Sequence, residues 1–435
     1  LGTINIGRAD YEGTVNLAKV TDGDTTTGIM NIYAGTVNTK NDFIQNTLNN
    51  QGVFNFNAKG KTGTVTTLSD AETPKGTTNI QAGSFNVIGN TVQKAITVSS
   101  GVNLTTNGHI TTTDGITNSG VLNVYGGTNT KRVIVNSAVS GDDGVTNLGD
   151  GTNNSYITTN GDISQTVNIK TDTDIVANAG IGLEGKDFNI SEGSSLKINA
   201  SDVNADILNE GTLTLVGGNV SERSALDYAV SGSGSANLGN GINSAYIQLN
   251  KSIAQAININ VGANIFASEA KYISGDVTNS GILTLAGGSD SERSILGGVV
   301  SGKGTTYFGD GTNPAYIQVD KTISQKINIQ SGADVLSNVA MGVDDKDLNI
   351  LTGGGLTIDV NNLKSLNTND GTLNLTGGTN SDRRVFDLIY FGEGITNFGD
   401  GTNQAFIQLN RPISQAINIQ SGADVLSNNV AMGKV

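Results

Sequence analysis

The sequence predicts an all-β fold, a parallel β-helix (β-solenoid) made of coils of roughly 20 residues. A Gly-rich strand motif starts four repeats, and its copies occupy residues 120–127, 211–218, 281–288 and 371–378. The second repeat is about twenty residues shorter than its neighbours, yet its pattern resumes unchanged. A solenoid tolerates such a loss, because each coil contacts only its neighbours and can be removed as one layer.

Composition favours the same fold. The 435 residues include 59 Gly and 3 Pro, and Asn, Thr, Ser and Asp fill the stretches between short apolar runs. These residues are turn formers, because Gly, Asn and Asp adopt positive φ at low cost. Hydrophobic residues make up 36% of the chain and alternate with polar ones, which indicates a folded rather than a disordered chain.

The chain divides into an irregular part and a regular part. Residues 1–119 carry degenerate N-terminal solenoid coils, with a predicted loop at residues 60–76 where apolar residues are few. Regular repeats are predicted at residues 120–210, 211–280, 281–370 and 371–435. Both ends fall inside repeat-like sequence, so we expect a processed or partial product.

The best-preserved segment of each repeat begins at a Gly-Asp-Gly-Thr-Asn corner, which the second repeat replaces with Gly-Asn-Gly-Ile-Asn. Alternation in the strands that follow this second corner places Ile247, Ile257 and Ile259 inside and Tyr246 and Asn258 outside. We expect the inward residues to carry the stability. The outward Asn should matter less, unless Asn side chains stack into a ladder.

Charge and residue usage exclude several classes of protein. The net charge is −14, from 25 basic and 39 acidic residues, which disfavours binding to nucleic acid or to an anionic membrane. The chain has no Cys, so disulfides and thiolate metal sites are excluded. No run of eighteen apolar residues occurs, so no membrane-spanning segment is predicted.

Three repeats carry an acidic residue next to a basic one, shortly after the Gly-Gly end of the motif. The first repeat has Thr-Lys-Arg at residues 130–132 instead. Such pairs are either solvated surface loops or a row of groups along one side that binds a partner. The candidate partner-binding residues are Glu222, Arg223, Glu292, Arg293, Asp382 and Arg383.

The corner aspartates Asp150, Asp310 and Asp400 are the candidates for calcium binding, because hard cations prefer oxygen ligands. Each corner offers one carboxylate, however, and the second repeat has Asn240 in its place. Calcium usually takes six to eight oxygen ligands. We therefore expect no required cofactor.

The sequence predicts no enzymatic activity. His109 is the only His and has no nucleophile motif nearby. A glycosidase needs two carboxylates a fixed distance apart around a cleft, whereas Asp142–Asp143 and Asp344–Asp345 are adjacent acids of a kind that is ordinary in turns. An enzyme site should interrupt the repeat with unique residues, whereas the acids of this chain mostly follow the repeat.

The Gly-x-Leu-x-Leu-x-Gly-Gly strands and Gly-Asp-Gly-Thr-Asn corners of residues 76–435 resemble the passenger region of bacterial autotransporter surface proteins. Among these the chain is most similar to the large rickettsial-type surface antigens. The resemblance implies a right-handed parallel β-helix, an extracellular or cell-surface location, and a role as an adhesin that binds host or neighbouring bacterial surfaces. No functional residue carries over from the family.

The alternative is a structural protein that assembles with copies of itself, end to end, into an extracellular filament or surface layer. A first strand at Gly2–Ile6 and a last coil at Ile413–Val435 present strand edges that could pair between molecules. Such a head-to-tail contact does not close, so it yields filaments.

Overall fold

The computed structural model describes residues 3–7, 13–17, 20–21, 28–70, 74–342 and 347–432. The chain is all-β, a parallel β-solenoid of about 19 turns with about 21 residues per turn, which confirms the predicted fold and coil length. Within these ranges there is no α-helix, and no helix could cross a membrane. Helical structure there is limited to the short 3-10 turns Ala200–Asp202, Ala270–Tyr272 and Val360–Asn362.

The chain forms two compact units, each a stack of parallel strands. The first unit comprises Leu1–Thr214 and Gly232–Gly234, and the second comprises Leu215–Ser231 and Ser235–Val435.

Strands between residues 3 and 216 are Thr3–Ile6, Thr14–Leu17, Val20–Thr21, Ile29–Ile32, Thr36–Thr39, Phe43–Asn50, Val53–Ser69, Thr77–Val87, Thr91–Gln93, Ala95–Val98, Asn103–Thr106, Ile110–Thr112, Ile116–Asn118, Val121–Val124, Val133–Asn136, Val139–Leu148, Ser155–Thr159, Ile163–Ile169, Thr173–Ala177, Phe188–Ile190, Ser195–Asn199, Ile207–Asn209 and Thr212–Val216.

Strands between residues 224 and 427 are Ser224–Leu226, Val230–Ser231, Ser235–Leu238, Ala245–Leu249, Ala256–Ile259, Ala263–Ala267, Val277–Asn279, Ile282–Leu285, Ser294–Leu296, Val300–Phe308, Ala315–Val319, Ile323–Ile329, Ala333–Ser337, Leu348–Ile350, Gly355–Asp359, Thr368–Asn369, Thr372–Thr376, Arg384–Phe386, Ile395–Phe398, Ala405–Leu409, Ala416–Ile419 and Ala423–Ser427.

The predicted inward and outward faces are confirmed. Ile247, Ile257 and Ile259 are at most 1% exposed, whereas Tyr246 and Asn258 are half-buried on the outer face. Parallel pairing stacks like positions over each other, so each of these layers adds its inward aliphatic side chains to the core of its unit.

Outward asparagines do stack into ladders. Asn258 Nδ2 donates a hydrogen bond to Asn237 Oδ1 at 3.0 Å. In the first unit Asn147, Asn168 and Asn189 form a similar column, in which each side-chain amide donates to the one in the layer before it. Because the outward Asn side chains stack into ladders, we expect them to contribute to stability as well.

A second set of amide contacts lies inside the coil. Asn369 Nδ2 donates to Gln415 Oε1 at 2.9 Å, and Asn279 donates to Gln325 at 3.2 Å, with all four side chains buried. Each pair bridges across an intervening layer. Between Asn279 and Gln325 this layer is the strand Val300–Phe308, which has a register shift between Ser301 and Thr305. In that layer Gly302 has φ 115°, and a Cβ there would lie 2.2 Å from the main-chain oxygen of Asn279.

The predicted loop at residues 60–76 is wrong for residues 60–69. These residues continue the strand Val53–Ser69, which pairs with neighbouring strands on both sides. The exposed residues of this strand are 57 and 59–62, at a register shift between Asn57 and Thr62. The polar segment stays in the sheet because its main chain is hydrogen-bonded and Val65 and Leu68 point into the core.

Candidate functional site

Each predicted charged pair lies on a tight hairpin that leaves the coil. The Ser289 N–H donates to Glu292 O at 2.8 Å, and the Glu292 N–H donates back at 3.1 Å, so only two residues form the tip. The hairpins at 128–131 and 379–382 are built in the same way, whereas at 219–222 the Glu222 N–H donates to Asn219 Oδ1 at 3.0 Å in place of the return main-chain bond. The acidic members Glu222, Glu292 and Asp382 are all exposed.

The basic member of each pair folds back onto the coil. The Arg293 guanidinium lies 5.9 Å from the ring centre of Tyr316 and donates to Asp334 O at 2.9 Å. It also forms a 3.0 Å ion pair with the Asp334 carboxylate. Tyr316 lies one layer away and Asp334 two layers away, so the arginine ties three layers together. We call this arrangement the arginine anchor.

The anchor recurs, including in the first repeat, where the acidic neighbour is missing. Arg383 lies 5.8 Å from the Phe406 ring and pairs with Asp424 at 2.8 Å. Arg132 forms the corresponding contacts with Tyr156 at 5.8 Å and Asp174 at 2.5 Å. Sequence analysis missed this role. The signal was present as an aromatic residue 23 or 24 positions after each arginine, and an acidic residue 41 or 42 positions after Arg132, Arg293 and Arg383.

Arg223 is the exception among the anchors. Its second-layer partner is Asn264, which accepts hydrogen bonds at its main-chain oxygen at 2.8 Å and at Oδ1 at 2.7 Å. The guanidinium lies between the rings of Tyr246 and Phe266, at 5.9 and 5.8 Å. Burial lowers the pKa of Arg223, and Tyr246 partly offsets this effect. Among the described residues, Arg223 has no acidic partner within ion-pair distance.

An open groove of about 330 Å³ lies beside Arg223. Its walls include Arg223, Asn264, Phe266, Tyr307, Asp310 and Gln330. We call it the Arg223 groove.

The shortened repeat explains why these residues meet. Asn264 pairs with Ile282, and Ile282 pairs with Thr305, whose strand leads directly into the corner that contains Asp310. In the next repeat, the path from Asp334 to the following corner passes through Gly355, Thr372 and Ile395. The short repeat therefore brings the corner one layer closer to its arginine, a distance of about 4.8 Å.

Residues that break the repeat gather in this groove. Phe266 occupies the position that holds Leu336 in the next repeat. Tyr307 occupies the position of Asn397 and so interrupts an asparagine ladder. With Asn264 in place of an aspartate, three departures from the repeat line one surface.

The corner aspartates bond to their own turns. Asp310 Oδ1 accepts hydrogen bonds from the Thr312 and Asn313 N–H groups at 2.8 and 2.7 Å, and Oδ2 accepts one from Asn313 Nδ2 at 2.7 Å. Asp150 and Asp400 accept the same three bonds. Each carboxylate closes its corner as a backbone turn would.

These hydrogen bonds set the ionisation of the corners. Burial raises the carboxyl pKa of Asp150, but hydrogen bonds from Asn153 and Thr152 outweigh it and lower the pKa to about 2. The same balance holds the pKa of Asp310 and Asp400 below the usual range. The carboxylates are therefore ionised throughout the physiological pH range.

Asn240 closes the second corner without a charge. Its Oδ1 accepts from the Ile242 and Asn243 N–H groups, both at 2.9 Å. The turn at the corner thus needs one side-chain oxygen as a hydrogen-bond acceptor, and either aspartate or asparagine supplies it. In the part of the chain that the structure describes, no three His, Asp or Glu side chains come together as a metal site.

The residues weighed for catalysis are not brought together. His109 Nδ1 accepts a hydrogen bond from the Ile134 N–H at 2.9 Å. The Asp143 carboxylate lies 3.8 Å from Lys186 Nζ, with most of its surface exposed. Asp344–Asp345 lie outside the described residues.

The fold defines the class of this protein as a repetitive parallel β-solenoid. Comparison with protein-family models, with curated proteins and with solved structures gave no match.

Proposed function

We propose that this chain is a non-enzymatic solenoid of the bacterial cell surface that binds molecules on host or neighbouring bacterial surfaces, as an adhesin does. One observation carries the proposal. The departures from the repeat at Asn264, Phe266 and Tyr307 converge on a single open groove. A repeat that served only to extend the solenoid would have no reason to change three outward residues at one place.

Two further features support a binding role outside the cell. The described anchors, ladders and corners satisfy most of their polar groups internally, so the repeats need no ligand in order to fold. The hairpin tips instead leave the carboxylates of Glu222, Glu292 and Asp382 exposed. A net charge of −14 favours solubility in an aqueous medium.

Adhesion of coated beads tests this function. Beads carrying residues 1–435 should adhere to cultured host cells or to bacterial cells more strongly than beads carrying albumin. The matched control is the triple variant Asn264→Asp, Phe266→Leu and Tyr307→Asn, which restores at each position the residue that other repeats have. Absence of adhesion to every surface would contradict the proposal.

Head-to-tail assembly into an extracellular filament or surface layer is the alternative, because a stack of parallel strands can be extended by adding further strands. Light scattering and negative-stain microscopy separate the two functions. A monodisperse monomer at high concentration removes the filament, and regular filaments without any partner favour it.

A further inference from the structure

We propose that the Arg223 groove binds a saccharide that carries an isolated carboxylate, such as a uronic acid residue of a glycan. The inference names a ligand class for the proposed binding function and rests on that function for its biological role. Binding in solution is tested separately from adhesion.

The first argument is the missing carboxylate. Arg132, Arg293 and Arg383 are each neutralised by an aspartate at 2.5 to 3.0 Å. At Arg223 the side-chain contact in that place is the neutral amide of Asn264, at 2.7 Å. A partly buried guanidinium without a counter-charge favours an incoming carboxylate, because charge-assisted hydrogen bonds to arginine are strong and geometrically specific.

The second argument is the rest of the groove wall. The half-buried rings of Phe266 and Tyr307 offer apolar faces, and the partly buried Thr284 and Gln330 offer hydroxyl and amide groups. A sugar ring has the same mixed character, with apolar C–H faces and hydroxyl groups at the rim. The groove volume of about 330 Å³ falls at the lower end of small-molecule sites, which measure about 300–1,000 Å³.

The third argument limits how much negative charge the ligand carries. Asp310 lines the same groove, and the net charge of the chain is −14. Both repel a densely charged polyanion, such as a nucleic acid or a heavily sulfated glycan. A saccharide with a single carboxylate, placed against Arg223, meets less of this repulsion than a polyanion does.

Titration of a panel of uronic acid and sialic acid oligosaccharides tests the proposal, with their methyl esters as uncharged counterparts. We expect wild-type protein to bind at least one acidic saccharide and to bind its ester about tenfold or more weakly. Asn264→Asp supplies the carboxylate that other anchors have, and it should weaken acidic saccharide binding about ten- to hundredfold, as expected for one charge-assisted hydrogen bond.

Asp334→Asn is the matched control, because it removes the corresponding carboxylate at an anchor that has Leu336 and Asn397 at the positions of Phe266 and Tyr307. It should leave saccharide binding unchanged, and circular dichroism should show both variants folded. The proposal is overturned if no acidic saccharide binds, if Asn264→Asp binds as wild type does, or if an aspartate-containing peptide binds this groove in preference to the saccharides. Bead adhesion without saccharide binding would refute this inference alone, and saccharide binding without adhesion would refute only the proposed function.

Discussion

The repeats at 211–280 and 281–370 have corners with the same turn hydrogen bonds, the same core register and the same kind of arginine anchor, but they differ in length by one coil. In the longer repeat Arg293 is neutralised by Asp334, and the outward column that follows contains Asn374, Asn397 and Asn418 of the next repeat, which are hydrogen-bonded to one another. In the shorter repeat Arg223 contacts the neutral amide of Asn264 instead of a carboxylate, and beside this anchor Tyr307, from the start of the next repeat, replaces the ladder residue. Removal of a layer preserves the core but changes which outer residues become neighbours, and the Arg223 groove is the result.

Core substitutions should affect the two repeats equally and produce the largest losses. Ile257→Ala should lower the free energy of unfolding by about 2–5 kcal/mol, because it removes buried methyl groups and leaves a cavity. Ile327→Ala, at the equivalent position of the longer repeat, should cost a similar amount in denaturant unfolding. A much smaller loss in the shorter repeat would show that the missing coil loosens the core.

The glycine bulge should also be shared by the two repeats. Backbone strain at positive φ costs about 1–3 kcal/mol. Gly302→Ala should lower the free energy of unfolding by more than this, because its Cβ would also clash with a main-chain oxygen at 2.2 Å. Gly232→Ala, whose Cβ would lie 2.3 Å from Asn209 O, should behave alike. Gly185→Ala isolates the strain, because it has φ 78° and no atom within 4 Å. Equal losses at Gly185 and Gly302 would refute the clash.

The stability that the arginine anchors contribute should depend on salt concentration in the longer repeat but not in the shorter one. Arg293→Gln should cost about 1 kcal/mol at low ionic strength, from a partly exposed ion pair and a ring contact, and less at high salt. Arg223→Gln should show almost no salt dependence, because Arg223 contacts a neutral amide. Parallel unfolding curves at two salt concentrations measure the difference. Equal salt dependence would mean that Arg223 has an ionic partner after all.

The smallest effect on stability should appear at acidic pH. Burial raises the Asp150 pKa, but hydrogen bonds lower it from 3.8 to about 2, so this corner contributes stability above about pH 4 that is lost as the pH falls toward 2. Asp150→Asn should reduce stability slightly at pH 7 and flatten the loss between about pH 4 and pH 2. Asn240→Asp should introduce the same acid sensitivity into the shorter repeat. Thermal unfolding across this pH range measures both variants. If Asp150→Asn lost as much stability between about pH 4 and pH 2 as the wild type does, the proposed role of the Asp150 hydrogen bonds would be contradicted.

Much of the fold could be predicted from the sequence, because a repeated block reports both coil length and register. Ile257 and Asn258 were assigned to the correct faces by alternation alone. The segment 60–69 was misassigned because its strand is stabilised by main-chain pairing with distant strands, which apolar alternation does not reveal.

The site was less predictable. The pairs at Arg223 and Arg293 were identified as candidates, but their contacts lie about two coils further along the chain. Asn264 and Tyr307 could have been found by aligning the repeats position by position. Their meeting in one groove depends on the number of layers between them, which only the stacked structure supplies.

The arginine anchor has a consequence for how such a chain can change its length. The spacing from each arginine to its second-layer partner is 41 or 42 residues in all four repeats, including the shortened one. The twenty residues are missing after that partner, where no anchor spans the gap. Insertions and deletions should therefore occur in whole coils and within this interval. Evolution can then lengthen or shorten the solenoid there and reshape the adjoining surface, without disturbing the layers that an arginine anchor connects.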